Sequence, residues 1–107
     1  MYKLVTHVPL SHSDKVREAM ANAGAGNFSH YSFCSFTTKG IGRFKGDENS
    51  NPAVGEKEKL MEVEEEKIEV ILEEDKIKDV IKAIKEVHPY EEIPIEVCEL
   101  EDIEKYK

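Results

Sequence analysis

Apolar and polar residues alternate over residues 2–8, the period of two that a strand requires, and Pro9 closes the segment. The period then changes. Over residues 14–23, Val16, Ala19, Met20 and Ala23 share one helical face, Ser11 or Ser13 is placed to cap the first turn, and Gly24 is placed to end the last. Residues 30–38 are rich in aromatic side chains, Ser and Thr, which predicts a second strand. Residues 39–45 either extend that strand or turn back as a short hairpin. Residues 46–58 form a polar loop, longer than the usual connection, and loops of that length are often functional. Residues 65–72 put Ile68, Val70 and Leu72 on one side of a third strand. From Asp75 onward, Ile77, Val80, Ile81, Ile84 and Val87 recur at helical spacing, and His88-Pro89 stops that helix. Ile93, Ile95 and Val97 make a fourth strand ahead of a charged tail.

The order β-α-β-β-α-β predicts an α+β fold with both helices on one side of an antiparallel sheet, the ferredoxin-like arrangement. The second and fourth strands are then the sheet edges. Cys34 and Cys98 lie far apart in that topology, so no intrachain disulfide is expected. The sheet face away from the helices stays uncovered, with Val5, Cys34, Ile71 and Leu100 as apolar candidates to sit on it. An uncovered apolar face between two open edges calls for a partner, and a homo-oligomer is expected.

Composition narrows the function classes. A chain of 107 residues, 36% charged and 39% hydrophobic, reads as one globular domain, residues 1–107. No apolar run is long enough to span a membrane, and the first residues lack the apolar region of a signal peptide, which points to a cytoplasmic protein without a membrane partner. The net charge is -8, unevenly spread. Residues 1–45 set Lys3, Lys15, Arg17, Lys39, Arg43 and Lys45 against Asp14 and Glu18, a balance of +4, so residues 46–107 carry -12. That excess argues against a nucleic-acid partner. It reads either as a solvated acidic face or as opposite-charge contact between copies of the chain. Two cysteines without metal-ligand spacing make neither a disulfide framework nor a structural zinc site.

Three groups of residues carry possible chemistry. In His88-Pro89-Tyr90-Glu91-Glu92, the plain reading is a helix stop and turn; the functional reading has His88, Tyr90 and Glu91 facing a cleft between subunits. In the stretch from Gly40 to Gly46, the glycines mark a bulge or hairpin tip, or else Gly40, Gly42 and Arg43, with Lys45, cradle an anion. His7, His12, His30 and Cys34 are scattered. Joined to His88 they would make a divalent-metal site, with His30 and His88 as its leading ligands, though scattered histidines are more often surface or packed residues. No nucleophile–base pair stands out. All four phenylalanines fall between Phe28 and Phe44. Rings with cationic neighbours serve a ligand site or a subunit contact.

Several separated motifs together resemble a known group. Gly24-Ala25-Gly26-Asn27-Phe28-Ser29-His30-Tyr31, Cys34-Ser35-Phe36, Gly40 with Gly42 and Phe44, Asn51-Pro52 with Gly55-Glu56, and His88-Pro89-Tyr90-Glu91-Glu92 look like the middle domain of the YqfO-like proteins, bacterial members of the Nif-three type. That domain is similar in fold to CutA and to the PII signalling proteins. The resemblance implies a trimer with sheets packed around a central axis. It also implies that the larger halves carrying a dinuclear metal site and hydrolase-like chemistry have no counterpart in these residues, as in a stand-alone version of the insert. The expected function is a non-enzymatic trimeric domain that senses a ligand or binds a protein partner; the alternative is divalent-metal binding of the CutA type, and an enzyme with a site between subunits ranks last. The phenylalanines then read as core and subunit contact, with a ligand at the rim where the glycine stretch meets His88-Pro89-Tyr90 of a neighbour.

Overall fold

The computed structural model describes residues 1–107. Strand β1 (Tyr2–Pro9) leads through one 3-10 turn into helix α1 (Ser13–Asn22); β2 (Phe36–Phe44) and β3 (Met61–Leu72) follow, then α2 (Ile77–Val87) and β4 (Ile95–Glu99). The four strands form one antiparallel-paired sheet in the order β2-β3-β1-β4, the ferredoxin-like topology the sequence predicts. Both cysteines are free. No helix is long and apolar enough to cross a membrane.

The core follows from periodicity. Leu4 and Val8 of β1 and Ile68, Val70 and Leu72 of β3 point to the helices; Val16 and Met20 of α1 and Val80 and Ile84 of α2 point back. Each such fully buried side chain stabilises the fold by about 1.5–3 kcal/mol. Neither Ser11 nor Ser13 caps α1. Ser13 lies inside the helix and donates its hydroxyl to Glu66 of β3, and Arg17 completes that cluster, 3.0 Å from Glu66 Oε1 and 2.8 Å from Asp14 Oδ1. The helix ends where Gly24 takes φ +113°.

Three expectations need correction. The second strand begins at Phe36, not residue 30, and residues 39–44 extend it without turning back. Residues 30–35 belong to a loop, because an edge strand open on both faces imposes no hydrophobic period. The aromatics are not core: Phe28, Tyr31, Phe33 and Phe36 are all exposed. On the open sheet face, alternation puts Val5 and Ile71 where expected, but Cys34 precedes β2 and Leu100 follows β4; Phe36, opposite Glu69, and Cys98, opposite Lys3, take those places.

Strand β3 outruns β1. Pairing with β1 ends at Pro9 opposite Glu65, whereas pairing with β2 continues to Phe44 opposite Met61. Ile41–Phe44 and Met61–Glu64 therefore project as a two-stranded arm, which stretches the molecule to 51 Å along its longest axis.

Candidate functional site

A cavity of about 710 Å³ opens where this arm leaves the sheet. Its floor is the open face of Gly40, Gly42 and Phe44 of β2, Glu65 and Lys67 of β3, and His7 of β1. One wall is the loop after β2, with Gly46, Ser50, Pro52 and Val54. The other is the link from α2 to β4, with Tyr90, Glu91, Glu92 and Pro94. The two walls are tied together: Asn51 N–H donates to Glu91 Oε1 at 2.9 Å. Gly40, Gly42, Arg43, Tyr90 and Glu91 thus meet within one chain, and no neighbouring subunit is needed to join the glycine stretch to the Tyr90 link.

The glycines have different jobs. A Cβ on Gly40 would meet nothing within 4 Å, so its absence widens the floor. A Cβ on Gly42 would run into the Glu65 carboxylate, which lies across it. Glu65 is held there by Tyr90, whose hydroxyl donates to Oε2 at 2.5 Å. Burial, and then the bond to Glu65 and its charge, raise the Tyr90 pKa well above the ordinary tyrosine range.

His88 sits beneath this pair, buried. Its Nδ1 accepts the Tyr90 N–H at 3.2 Å, so the ring proton is on Nε2, which donates to the His7 carbonyl at 2.7 Å. The Tyr90 ring meets it edge-on, centroids 4.8 Å apart. Burial lowers the His88 pKa, the largest influence on it, and keeps the ring neutral. Both nitrogens are committed, so His88 pins the α2–β4 link to the end of β1 and has no lone pair free for a ligand. His30 is exposed on the loop after α1. That loop is anchored near Ile71, whereas His88 is bonded at His7, so the structure does not bring His30 and His88 together. No group of three or more His, Cys, Asp or Glu side chains is placed to hold a metal.

The charges around the cavity are unequal in availability. Glu65 accepts from Tyr90 and Glu91 from Asn51. Arg43 pairs with Glu62 at 3.1 Å on the exposed arm. Lys45 and Lys67 line the cavity without a carboxylate in ion-pair range, and Glu92 lines it without a donor; alternation turns the Lys39 side chain to the helix side of β2, with Thr37. Glu65 and Lys67 are lining residues that sequence reasoning missed, and His7, read there as a scattered metal-ligand candidate, lies on the cavity floor. Their alternation with Ile68 and Val70 was the available signal, since it puts Glu65 and Lys67 on the face opposite the core.

No family model matches the chain. Among curated relatives, the GTP cyclohydrolase 1 type 2 homolog of Halalkalibacterium halodurans is 49% identical over 92 residues, covering 86% of this chain and 25% of that protein. The corresponding protein of Listeria monocytogenes is 43% identical over 106 residues, covering 98% and 28%. The chain spans about a quarter of the length of these relatives. Among solved structures, a Bacillus cereus protein related to NIF3 superposes with a TM-score of 0.79 at 38% identity, over 94% of this chain and 26% of that one. CutA1 from Pyrococcus horikoshii gives 0.70 at 18% identity, over 95% and 85%. Bacillus subtilis GlnK gives 0.55 at 18%, over 92% and 83%. The last two share the fold alone.

Proposed function

This chain is a homologue of the GTP cyclohydrolase 1 type 2 homologs, the NIF3-related family, over about a quarter of their length, and from that premise we propose that it is a self-associating domain that binds a small anionic ligand and serves a sensing role toward a protein partner. One observation carries the ligand class. Lys45 and Lys67 line the cavity without an ion-pair partner, and of the three lining carboxylates Glu65 and Glu91 are occupied by donors of the protein itself, which leaves Glu92 alone without one. A carboxylate or phosphate entering there gains charge-assisted hydrogen bonds from lysines that now have none. Gly40 leaves room for it beside the β2 backbone. Binding is favoured over catalysis because the Glu65–Tyr90 pair is closed on itself, with the phenol held protonated. The reading of this segment as a domain of its own, distinct from the activity in the relatives' name, belongs to the same proposal.

Self-association rests on the sheet. Phe36 and Ile71 are exposed on the open face, and β2 and β4 leave unpaired edges. A trimer, as the resemblance implies, is the expected state.

The ligand reading is tested by thermal unfolding in phosphate or citrate against chloride at equal ionic strength. A ligand that binds only the folded state raises Tm with saturation. The wild type should show that rise, and the double variant Lys45→Gln, Lys67→Gln should lose it. No rise in the wild type, or an equal rise in both, overturns the assignment. Sizing in solution tests self-association separately, and a monomer at micromolar concentration would sink it.

A further inference from the structure

Both ends of the chain emerge at one end of the sheet. Leu100 N–H donates to the Met1 carbonyl at 3.0 Å, and Tyr2 pairs with Leu72 on one side and Glu99 on the other. The loop between α1 and β2 is anchored at this same end, because Gly26 N–H donates to the carbonyl of Ile71, itself opposite Lys3.

That loop is built, and it presents rings to solvent. Phe28 and Tyr31 exchange two backbone hydrogen bonds of 2.9 Å, and Cys34 N–H returns to the Gly26 carbonyl at 2.9 Å. A side chain on Gly26 would collide with the Cys34 backbone, so the closure depends on that glycine. Ser29 and Phe33 take φ of 55° and 60°, a conformation that non-glycine residues keep only where their surroundings fix it. The result is four large aromatics within nine residues, Phe28, Tyr31, Phe33 and Phe36, each 58–74% exposed. A hollow of about 280 Å³ lies beside Phe33, between it and Arg17 and Glu18 of α1. Three and six residues past Leu100, Ile103 and Tyr106 are exposed as well. Exposed aromatics gathered on one ordered loop mark a protein contact, and aromatic anchors beside a pocket are its usual energetic centre.

The occupant follows from length and from where the chain ends lie. The relatives carry about three quarters of their length outside the matched segment. Whichever end that polypeptide joins, it departs from the sheet end that holds the aromatic loop. We propose that residues 27–34 are a docking surface for the polypeptide that flanks this segment in NIF3-related proteins, with Tyr31 and Phe33 as its anchors. The surface is separate from the cavity, and it does not depend on the ligand assigned there.

The test replaces the matched 92-residue segment of the Halalkalibacterium halodurans relative with this chain and compares hydroxyl-radical labelling of Tyr31 and Phe33 in the intact chimera and in the 107-residue chain alone. A severalfold loss of labelling in the chimera is expected. A double variant, Tyr31→Ser with Phe33→Ser, should lower the Tm of the chimera while leaving that of the isolated chain nearly unchanged, since both rings are exposed there. Equal labelling in the two proteins overturns the proposal. So does protection already complete in the isolated chain, which would assign the loop to contacts between its own copies. Should the chimera not fold, the intact relative and its own 92-residue segment give the same comparison at the aligned positions.

Discussion

Tyr90 donates its hydroxyl to Glu65 across the gap between the α2–β4 link and the middle of β3, at 2.5 Å. This bond joins the two parts of the cavity that differ most in origin, a loop set by a proline and a strand set by sheet register. It also holds a carboxylate over a glycine, so three positions far apart in sequence depend on one another.

Tyr90→Phe removes the bond and keeps the ring edge against His88. Losing a hydrogen bond to a charged acceptor costs about 1.5–3 kcal/mol, and the partial exposure of this pair puts the expected loss at the low end. Urea denaturation should show a reduced midpoint with an unchanged slope. The raised pKa of Tyr90 has its own signature. A group whose folded pKa lies above its unfolded value lends stability below the latter and loses it as pH rises. The wild type should therefore lose stability above its ordinary value of 10.0 more steeply than Tyr90→Phe does. Parallel curves would mean that neither burial nor Glu65 raises the phenol's pKa.

Alanine at the two glycines of β2 should separate their roles. Gly40→Ala meets open space and should be neutral or stabilising by about 0.4–1 kcal/mol, since it restricts the unfolded chain. Gly42→Ala meets the Glu65 carboxylate, which can swing aside only by leaving Tyr90. Its expected cost is about 1.5 kcal/mol, the low end for a hydrogen bond to a charged acceptor. In that variant the ultraviolet titration of Tyr90 should move back toward 10.0. An unmoved titration would mean that Glu65 yields without releasing the hydroxyl.

His88 gives the opposite pH dependence. Burial lowers its pKa in the folded state, so the unfolded chain binds the proton more readily. The sign is then fixed: stability is complete above the ordinary value of 6.5 and falls as pH drops through it. Glu69, lowered by its bond to Lys3, adds a similar loss only below 4.5. His88→Gln should flatten the upper part of the profile and leave the lower part intact. If both proteins lose stability alike near 6.5, His88 is not the group responsible.

What the sequence reveals follows burial. The helices and β1 impose a period because one face meets the core, so Val16, Met20, Val80 and Ile84 are legible. Strand β2 imposes none, since it lies at an edge and its residues are exposed or only partly covered; its aromatic approach segment draws the prediction toward residue 30. In the site, Gly40, Gly42, Arg43, Tyr90 and Glu91 stand out by residue type. Glu65 and Lys67 lie in a charged run, where alternation with Ile68 and Val70 gives their face but the register against β1 and β2 is needed to put them beside His7 and Gly40. The motif His88-Pro89-Tyr90 is visible, but its division of labour is not. Which residue faces the cavity and which faces the protein depends on the His7 carbonyl, eighty-one residues away.

Ile71 and Phe36 decide what the open face is for. Both are exposed, and neither contributes to the helix-side core, so replacing them with a charged residue leaves the subunit's own packing intact. Ile71→Glu places a carboxylate opposite Lys3, which already pairs with Glu69, but on a face where water solvates it in the lone subunit. In an assembly that buries this face, the same carboxylate must be desolvated, at a cost of several kcal/mol for each subunit. Sedimentation should therefore show dissociation of Ile71→Glu to folded monomers, with circular dichroism unchanged. Phe36→Asp likewise puts a carboxylate on this face that an assembly must desolvate, and should dissociate it too. Assemblies that survive both substitutions would place the contact on the strand edges and leave the open face free.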